Sequence, residues 1–579
     1  MANVRPVLIV GSGPAGLVAA IVLRLNSIPV RLIDRSTEYL TGSRGTGLQP
    51  RTLELLEGLG IPPNKILESS RAISDMRAYG GPDGKTVVKQ FRMAESGNYN
   101  DSVPWKTPRS IAQSVTQTLL RDRLEELGTL PESGTELVTF VQKDGFVEAT
   151  LRRVGADESD VEILEAQYLI GADGAKGPTR KTLGLAFVGE TKESDRLLIA
   201  DVETDDITPD YWHMWGSIQS QGVGLKPLGG NKFQMQVIGP DMKHWHEEGR
   251  TLKDIQNIFW EISKRTDIVF RKCTWITEWR ANIRLAEHFR VGNCFLVGDA
   301  GHSHSPTGGQ GLNTSVQDAL NLSWKIALVY KGISAPTVLD SYESERLPVI
   351  AEMLNLSTAI HTRAFQKSQA GDQSASLDEK AVAAASAAAA ESYQKVMHRP
   401  ATLHQLGINY RASRIIYDER SPADRTVEAG NPYSASPDGI HAGDRAPDAI
   451  HLLRIGDSEH QRLFSIFGPE HHTALVFSPS SEAAKGLVEH LSTKFQPHIP
   501  LKTVVVLPAS SVSTTVDGGA LPSDVTVLQD TDGSAFKEYG VTASEDVTVV
   551  IVRPDGVVGG YISSIDGVDE YFRRLEVAF

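Results

Sequence analysis

At 579 residues the chain is roughly four times a usual domain of about 150 residues, so two or three cores are expected rather than one. A composition of 40% hydrophobic and 22% charged residues is that of a globular protein, and a formal net charge of -14 leaves no basic stripe, so nucleic acid is excluded as a partner. The two cysteines, Cys273 and Cys294, have no metal-ligand spacing around them, which excludes a disulfide scaffold, a zinc site and a CxxC redox centre.

The apolar run Val7 to Val10 is far too short to span a membrane, and no secretory segment follows it, so a cytoplasmic protein is expected. The first 35 residues predict strand, glycine turn, helix and strand. Val7 to Val10 ends at Gly11, residues 15 to 25 are rich in Ala and Leu, and Val30 to Ile33 follow Pro29. Gly11, Gly13 and Gly16 form a GxGxxG between strand and helix, where lost Cβ atoms permit a tight turn, close approach of a pyrophosphate and close helix packing. Asp34 stands at the end of the second strand, placed to accept hydrogen bonds from a ribose and to repel a 2′-phosphate. The bound nucleotide is therefore expected to be FAD or NAD rather than NADP.

Residues 110 to 127 predict an amphipathic helix, and residues 186 to 285 alternate β-branched and aromatic residues with turns, as an antiparallel sheet does. Gly171-Ala172-Asp173-Gly174 and Gly298-Asp299 each follow an apolar strand. A helix is predicted over Asn313 to Tyr330, and another, solvent-edged and at a subunit contact, over Ser376 to Arg399, where Ser376 and Glu379 make a capping-box pattern. After a Ser/Pro/Gly-rich connection, strand-like runs at 474–477, 503–507, 525–528 and 547–552 predict a small α/β unit. His302 and His304 lack a third ligand, so no metal is expected.

Three stretches together, Gly11 to Gly16, Gly171 to Arg180, and Gly298-Asp299-Ala300-Gly301-His302 through Gly309 to Asn313, resemble the fingerprints of the single-component FAD-dependent aromatic hydroxylases. Arg51 to Glu54, Asp318 to Lys325 and Tyr342 to Arg346 resemble the phenol hydroxylase branch. The resemblance implies an α/β fold in three parts. A Rossmann-type FAD-binding domain (1–80, 110–185, 286–365) is interleaved with an antiparallel-sheet substrate domain (81–109, 186–285). A helical and connecting segment (366–441) leads to a thioredoxin-like domain (442–579) lacking CxxC.

It also implies a cofactor cradle of Gly11, Gly13, Pro14, Ala15, Gly16, Asp34, Arg35, Arg44, Gln49, Gln113, Asp173, Asp299, Gly309, Gln310, Gly311, Leu312 and Asn313. Pro306 would face the flavin from the substrate side. The implied reaction takes electrons from NAD(P)H and oxygen from O2 through a flavin C4a-hydroperoxide, and inserts one oxygen atom into a phenolic ring. Tyr211, His213 and Arg284 are the candidates for contact with the substrate hydroxyl, with Trp105, Trp212 and Trp215 lining the pocket. Thr46 stands where phenol hydroxylases tend to carry an aspartate, which points to a substituted phenol larger than phenol. A homodimer is expected. The alternatives are a flavin-dependent halogenase, although no Trp-x-Trp-x-Ile-Pro is present, and a non-catalytic flavin-binding scaffold.

Overall fold

The computed structural model describes residues 4–577 apart from 74, 96, 219, 240–249, 305–308, 366–386, 392, 396, 422–429, 456–458, 512–520 and 543–545. Val7–Val10 is buried at all four positions and lies between two parallel partners, Val30–Asp34 and Tyr168–Gly171. A strand covered on both faces has no use for polar alternation, hence the unbroken apolar run. Tyr168–Gly171 pairs in turn with Cys294–Leu296, also parallel. Parallel strands end along one edge of a sheet, so Gly11, Gly171 and Gly298 are brought together although they lie far apart in sequence. Helices Pro14–Leu25 and Gly311–Tyr330, buried over most of their length, pack against each other beside this sheet.

The second large sheet has eight strands in the order 302–303, 272–286, 187–203, 232–238, 222–229, 212–216, 76–80 and 86–91. Strand Met76–Gly80 belongs to this sheet, pairing parallel with Trp212–Gly216, so the substrate layer begins before residue 81. Its two faces are told apart by alternation. Leu198, Ala200, Val223, Leu225, Phe233 and Met235 turn toward Ile255 and Phe259 of helix Leu252–Ser263. Leu197, Ile199, Trp212, Met214 and Ile238 turn the other way. Thr251 and Asp254 close a reciprocal capping box that starts the covering helix.

Residues 387–391 and 393–395 are helical, and Ala390, Tyr393 and Met397 pack onto the second face of the sheet. Tyr393 is 1% exposed and donates from its hydroxyl to Trp215 O. This part of the predicted 376–399 helix is therefore a roof over the sheet rather than a solvent-edged element; Ser376 and Glu379 lie outside the described residues.

The C-terminal unit is a mixed eight-stranded sheet running from Tyr417–Asp418 through Val558–Ile562, Thr548–Val552, His472–Phe477, Leu501–Pro508 and Thr526–Asp530 to Leu452–Arg454 and His460–Gln461. Its first strand, paired with Gly560 and Tyr561, precedes the expected boundary at 442. The unit shares a continuous core with the first sheet: Ala474, Val476, Ile551 and Tyr571 cluster with Leu320, Trp324 and Tyr342. Buried charge crosses the same seam. Glu345 accepts from Lys325 (2.8 Å), Asn321 (2.6 Å), Ser413 (2.6 Å) and both terminal nitrogens of Arg553 (2.7 and 2.9 Å). Among the described residues no helix is long and apolar enough to cross a membrane.

Candidate functional site

The three glycines of the first turn serve three different ends. Gly11 has φ +103°, and a Cβ there would lie 2.5 Å from Ala172 O. A Cβ on Gly16 would lie 1.9 Å from Gly11 O, so only glycine lets the helix sit this close to the strand. A Cβ on Gly13 would meet nothing within 4 Å among the described residues. Gly13 is therefore not required by the protein's own packing, and it opens the N-terminus of helix Pro14–Leu25, which has Pro14 in its first position, Ala15 after it and no side-chain cap. Uncapped N–H groups with the positive end of a helix dipole behind them are suited to a diphosphate. Asp34 closes the turn, its Oδ2 accepting from Ser12 N (2.7 Å) and Ser12 Oγ (2.8 Å), its Oδ1 from Ser36 N (2.8 Å). Arg35 and Arg44 are exposed.

The loop 42–49 joins this turn to helix Gly311–Tyr330. Gly45 N donates to Gln113 Oε1 (3.0 Å), Gln49 N to Asn313 Oδ1 (2.8 Å), and Asn313 Nδ2 to Gly47 O (2.9 Å) and Gly309 O (2.7 Å). Leu312 lies 3.7 Å from where a Cβ of Gly45 would be. Gln310 points away, donating to Leu403 O (3.0 Å) and accepting from Gln405 (2.7 Å). Gly311 leaves room for the His304 ring, which a Cβ would overlap at 1.8 Å. Asp299 is exposed on a tight turn between buried Gly298 and Ala300. Asp173 Oδ2 accepts from Thr179 N (2.8 Å), and burial raises its pKa above the usual carboxylate range. Pro306 lies outside the described residues.

Three buried polar atoms around this edge, Gln49 Oε1, Gln117 Oε1 and Asp173 Oδ1, have no hydrogen-bond partner among the described residues. With the open Gly13 cradle they place oxygen acceptors and uncapped helix N–H groups together along the ends of three parallel strands, and FAD, which brings ribose and ring donors and an accepting diphosphate, fits that set. Beneath it His302 Nε2 bonds Asp318 Oδ2 (2.7 Å), and Arg346 Nε donates to Asp318 Oδ1 (2.8 Å). This buried chain fixes the Gly298 turn, because Gly298 N also donates to Asp318 (3.1 Å).

Several residues expected at the substrate face elsewhere. His213 is fully buried on the helix-covered side of the sheet, held by Tyr79 Oη and Thr208 O, each at 2.8 Å, and burial pulls its pKa down to about 4. Trp215 stacks on Tyr79 at 4.9 Å and donates to Gly84 O. Tyr211 lies under the Arg77 guanidinium, 3.4 Å from its ring centre, with His213 edge-on beside it. Alternation within one strand decides this: Trp212 and Met214 face the free side, so their neighbours cannot. Arg284 is engaged by Asn282 Oδ1, Phe187 O and Thr191 Oγ1. Trp105 packs in the first core and donates to Glu57.

The free face instead carries a polar row that the motif reading passed over. Lys226, Gln234 and Asp201 are cross-strand neighbours on three adjacent strands, with Trp275 next in line. Loop 42–46 lies along this row. A Cβ on Gly42 would strike the Trp275 ring at 2.1 Å, Ser43 O accepts from Gln234 (2.5 Å), and Thr46 accepts from Lys226 at Oγ1 (2.6 Å) and O (3.2 Å). The signal in the sequence was one lysine within Gly222–Gly229, a strand otherwise made of apolar residues and glycine.

A glycine cradle at the ends of parallel strands, an acidic residue on the second strand and a separate sheet bonded to this region through loop 42–49 are the arrangement of a flavin-dependent oxidoreductase with a substrate layer. The family model for the FAD binding domain matches residues 5–357. A flavin-dependent monooxygenase of Mycobacteroides abscessus is 34% identical over 98% of this chain and 99% of its own length. Pentachlorophenol 4-monooxygenase of Sphingobium chlorophenolicum is 31% identical over 97% and 94%. The crystal structure of the flavin-dependent monooxygenase PieE with FAD and substrate superposes with a TM-score of 0.75 at 22% identity, covering 99% of each chain. The chain belongs to the FAD-binding-domain family of flavin-dependent monooxygenases.

Proposed function

We propose that the protein is an FAD-dependent aromatic monooxygenase that uses NAD(P)H and O2 to hydroxylate a substituted phenol. One observation carries the reading. Loop 42–49 is bonded at Thr46 to the free face of the eight-stranded sheet, roofed by Ala390, Tyr393 and Met397, and at Gln49 to Asn313 at the start of helix Gly311–Tyr330, so an aromatic substrate on that face would lie against the cofactor's ring end. The names of its relatives support the aromatic class, pentachlorophenol 4-monooxygenase among them. Asp34 would hold the adenosine ribose, the amides at Gly13 to Ala15 the diphosphate, and Asp299 and the Gly309 to Asn313 backbone the ribityl and ring end. Bound FAD would supply reduction of O2 and delivery of one of its oxygen atoms.

The residues of this chain supply the remainder. The apolar roof excludes water, and the row beginning at Lys226 offers polar partners to a ring hydroxyl. Thr46, bonded to Lys226, leaves that position uncharged, in keeping with a substrate larger than phenol. The C-terminal sheet reads as a thioredoxin-like unit whose job is assembly or stability rather than dithiol chemistry, since both cysteines lie outside it. A soluble cytoplasmic homodimer is the proposed working form. Addition of substituted phenols to the holoprotein should stimulate NAD(P)H oxidation above the unstimulated rate. Bound FAD without stimulation by any aromatic compound would instead mark a scaffold.

A further inference from the structure

Lys226 is 8% exposed, its ammonium lies 5.3 Å from the Trp212 ring centre, and its only hydrogen-bond acceptors among the described residues are the two oxygens of Thr46. No carboxylate among the described residues lies within ion-pairing distance of it. Asp201 shares the face but stands two strands away, with Gln234 between them. Its own carboxyl is pushed up to about 6 by burial, which leaves it weak as a counter-charge. Arg399, arriving from the roof segment, adds like charge, while Arg44 on the loop is exposed. Burial, with Arg399 behind it, pulls the lysine down to about 7. A desolvated cation without a counter-ion is unfavourable until an anion joins it. An ammonium has three N–H bonds, and Thr46 takes two.

We propose that Lys226 recognises the ionised hydroxyl of the substrate, donating its third N–H to a phenolate oxygen that lies on the free face of the sheet beside Trp212. This rests on the hydroxylase reading for its choice of substrate, and it narrows that substrate to phenols acidic enough to bind as phenolates. Lys226 is on this account a positioning and selectivity residue. It sets the charge state in which the ring is presented, because a cation within a few ångströms favours the charged form of an acid.

Equilibrium binding to the FAD-loaded protein tests this without turnover. The probes are 4-nitrophenol, whose phenolate is coloured, and its methyl ether 4-nitroanisole, which cannot ionise. The parent should bind 4-nitrophenol as phenolate at a pH roughly one to three units below that needed by the free compound. Lys226→Met should weaken 4-nitrophenol by about tenfold or more, one unit of ionisation being a factor of ten. It should also return ionisation to the free-compound range and leave 4-nitroanisole unchanged. Lys226→Arg should keep the phenolate preference, and Thr46→Val, which removes the hydroxyl acceptor and frees a second N–H while the residue 46 carbonyl stays, should tighten it.

Flavin content and melting temperature identify a variant that has failed to fold, in which case the Arg and Val variants decide the matter. A Met variant that retains phenolate binding, or one that loses both probes equally while keeping its FAD, overturns the assignment. So does a parent that binds neither probe, or a Val variant with weakened phenolate binding. A parent that binds nitrophenolate through Lys226 yet inserts oxygen into no aromatic compound would leave the assignment standing and remove the hydroxylase reading instead.

Discussion

Gly13 and Gly16 are three residues apart, and alanine at each should have opposite consequences. Gly13→Ala adds a methyl with nothing among the described residues within 4 Å of it, so the apoprotein should melt as the parent does while FAD affinity falls, because that methyl enters the space the diphosphate needs. Gly16→Ala drives a methyl to 1.9 Å from Gly11 O and should destabilise the fold by about 1–3 kcal/mol, the usual scale for overpacking. Melting curves with and without FAD separate the two; an apoprotein destabilised as much by Gly13→Ala as by Gly16→Ala would refute the cradle. Asp34→Ala should cost about 1–3 kcal/mol of FAD binding, the scale of a charge-assisted hydrogen bond, measurable by flavin fluorescence; unchanged affinity would remove Asp34 from the site. His213 gives a pH signature. Its folded pKa of about 4 lies below the ordinary 6.5, so the unfolded chain takes up the proton first as pH falls. Its contribution is intact above about 6.5 and is lost toward pH 4, a matter of roughly 3 kcal/mol at 1.36 kcal/mol per unit. His472, likewise depressed by burial to about 3, adds to the same acid limb. Urea denaturation of His213→Phe should show a shallower loss of stability between pH 7 and 5 than the parent; equal slopes would contradict the burial argument.

Elements differ in how plainly the chain announces them. The first βαβ unit was legible because a buried parallel strand and a buried helix are both written as unbroken apolar runs, and the glycines between them have steric causes that the structure shows one by one. In the substrate sheet, alternation separates residue 212 from 213 but does not say which face is covered. That depends on helix Leu252–Ser263, which interrupts the 186–285 stretch expected to be sheet throughout. Tyr211 and His213 therefore attracted attention for their chemistry while lying on the wrong side, and Lys226 drew none because a lone lysine carries no motif. The 387–397 stretch reads as solvent-edged from its alanines, yet Tyr393 and Met397 bury it over the sheet. Where helices 311–330 and 340–365 meet the C-terminal sheet, Glu345 pairs with Lys325 and Arg553, and Asp555 is the second carboxylate on Arg553. Burial alone would raise its pKa, and those two cations hold it well below the usual range. Glu345→Gln leaves Lys325 without a paired carboxylate among the described residues and Arg553 with Asp555 alone, and should cost about 3–5 kcal/mol. Chemical denaturation checks this, and a loss under 1 kcal/mol would show that the network is not what joins these elements.

At the scale of the whole molecule, three large sheets are joined by loop contacts, a shared core and buried charge. The first sheet brings three distant glycine turns to a common edge, loop 42–49 bonds that edge to the roofed face of the second, and the C-terminal sheet is held to the first through a shared core and buried charge. On the proposed function, this assembly moves one oxygen atom from O2 to an aromatic ring. The direct measurement is turnover of the FAD-loaded protein with NAD(P)H, a substituted phenol and isotopically labelled O2, followed by mass analysis of the product. The account predicts a hydroxylated product that carries one labelled oxygen atom per NAD(P)H consumed in coupled turnover. Aromatic-independent NAD(P)H oxidation that yields only hydrogen peroxide, with the phenol recovered unlabelled across the series, would contradict it.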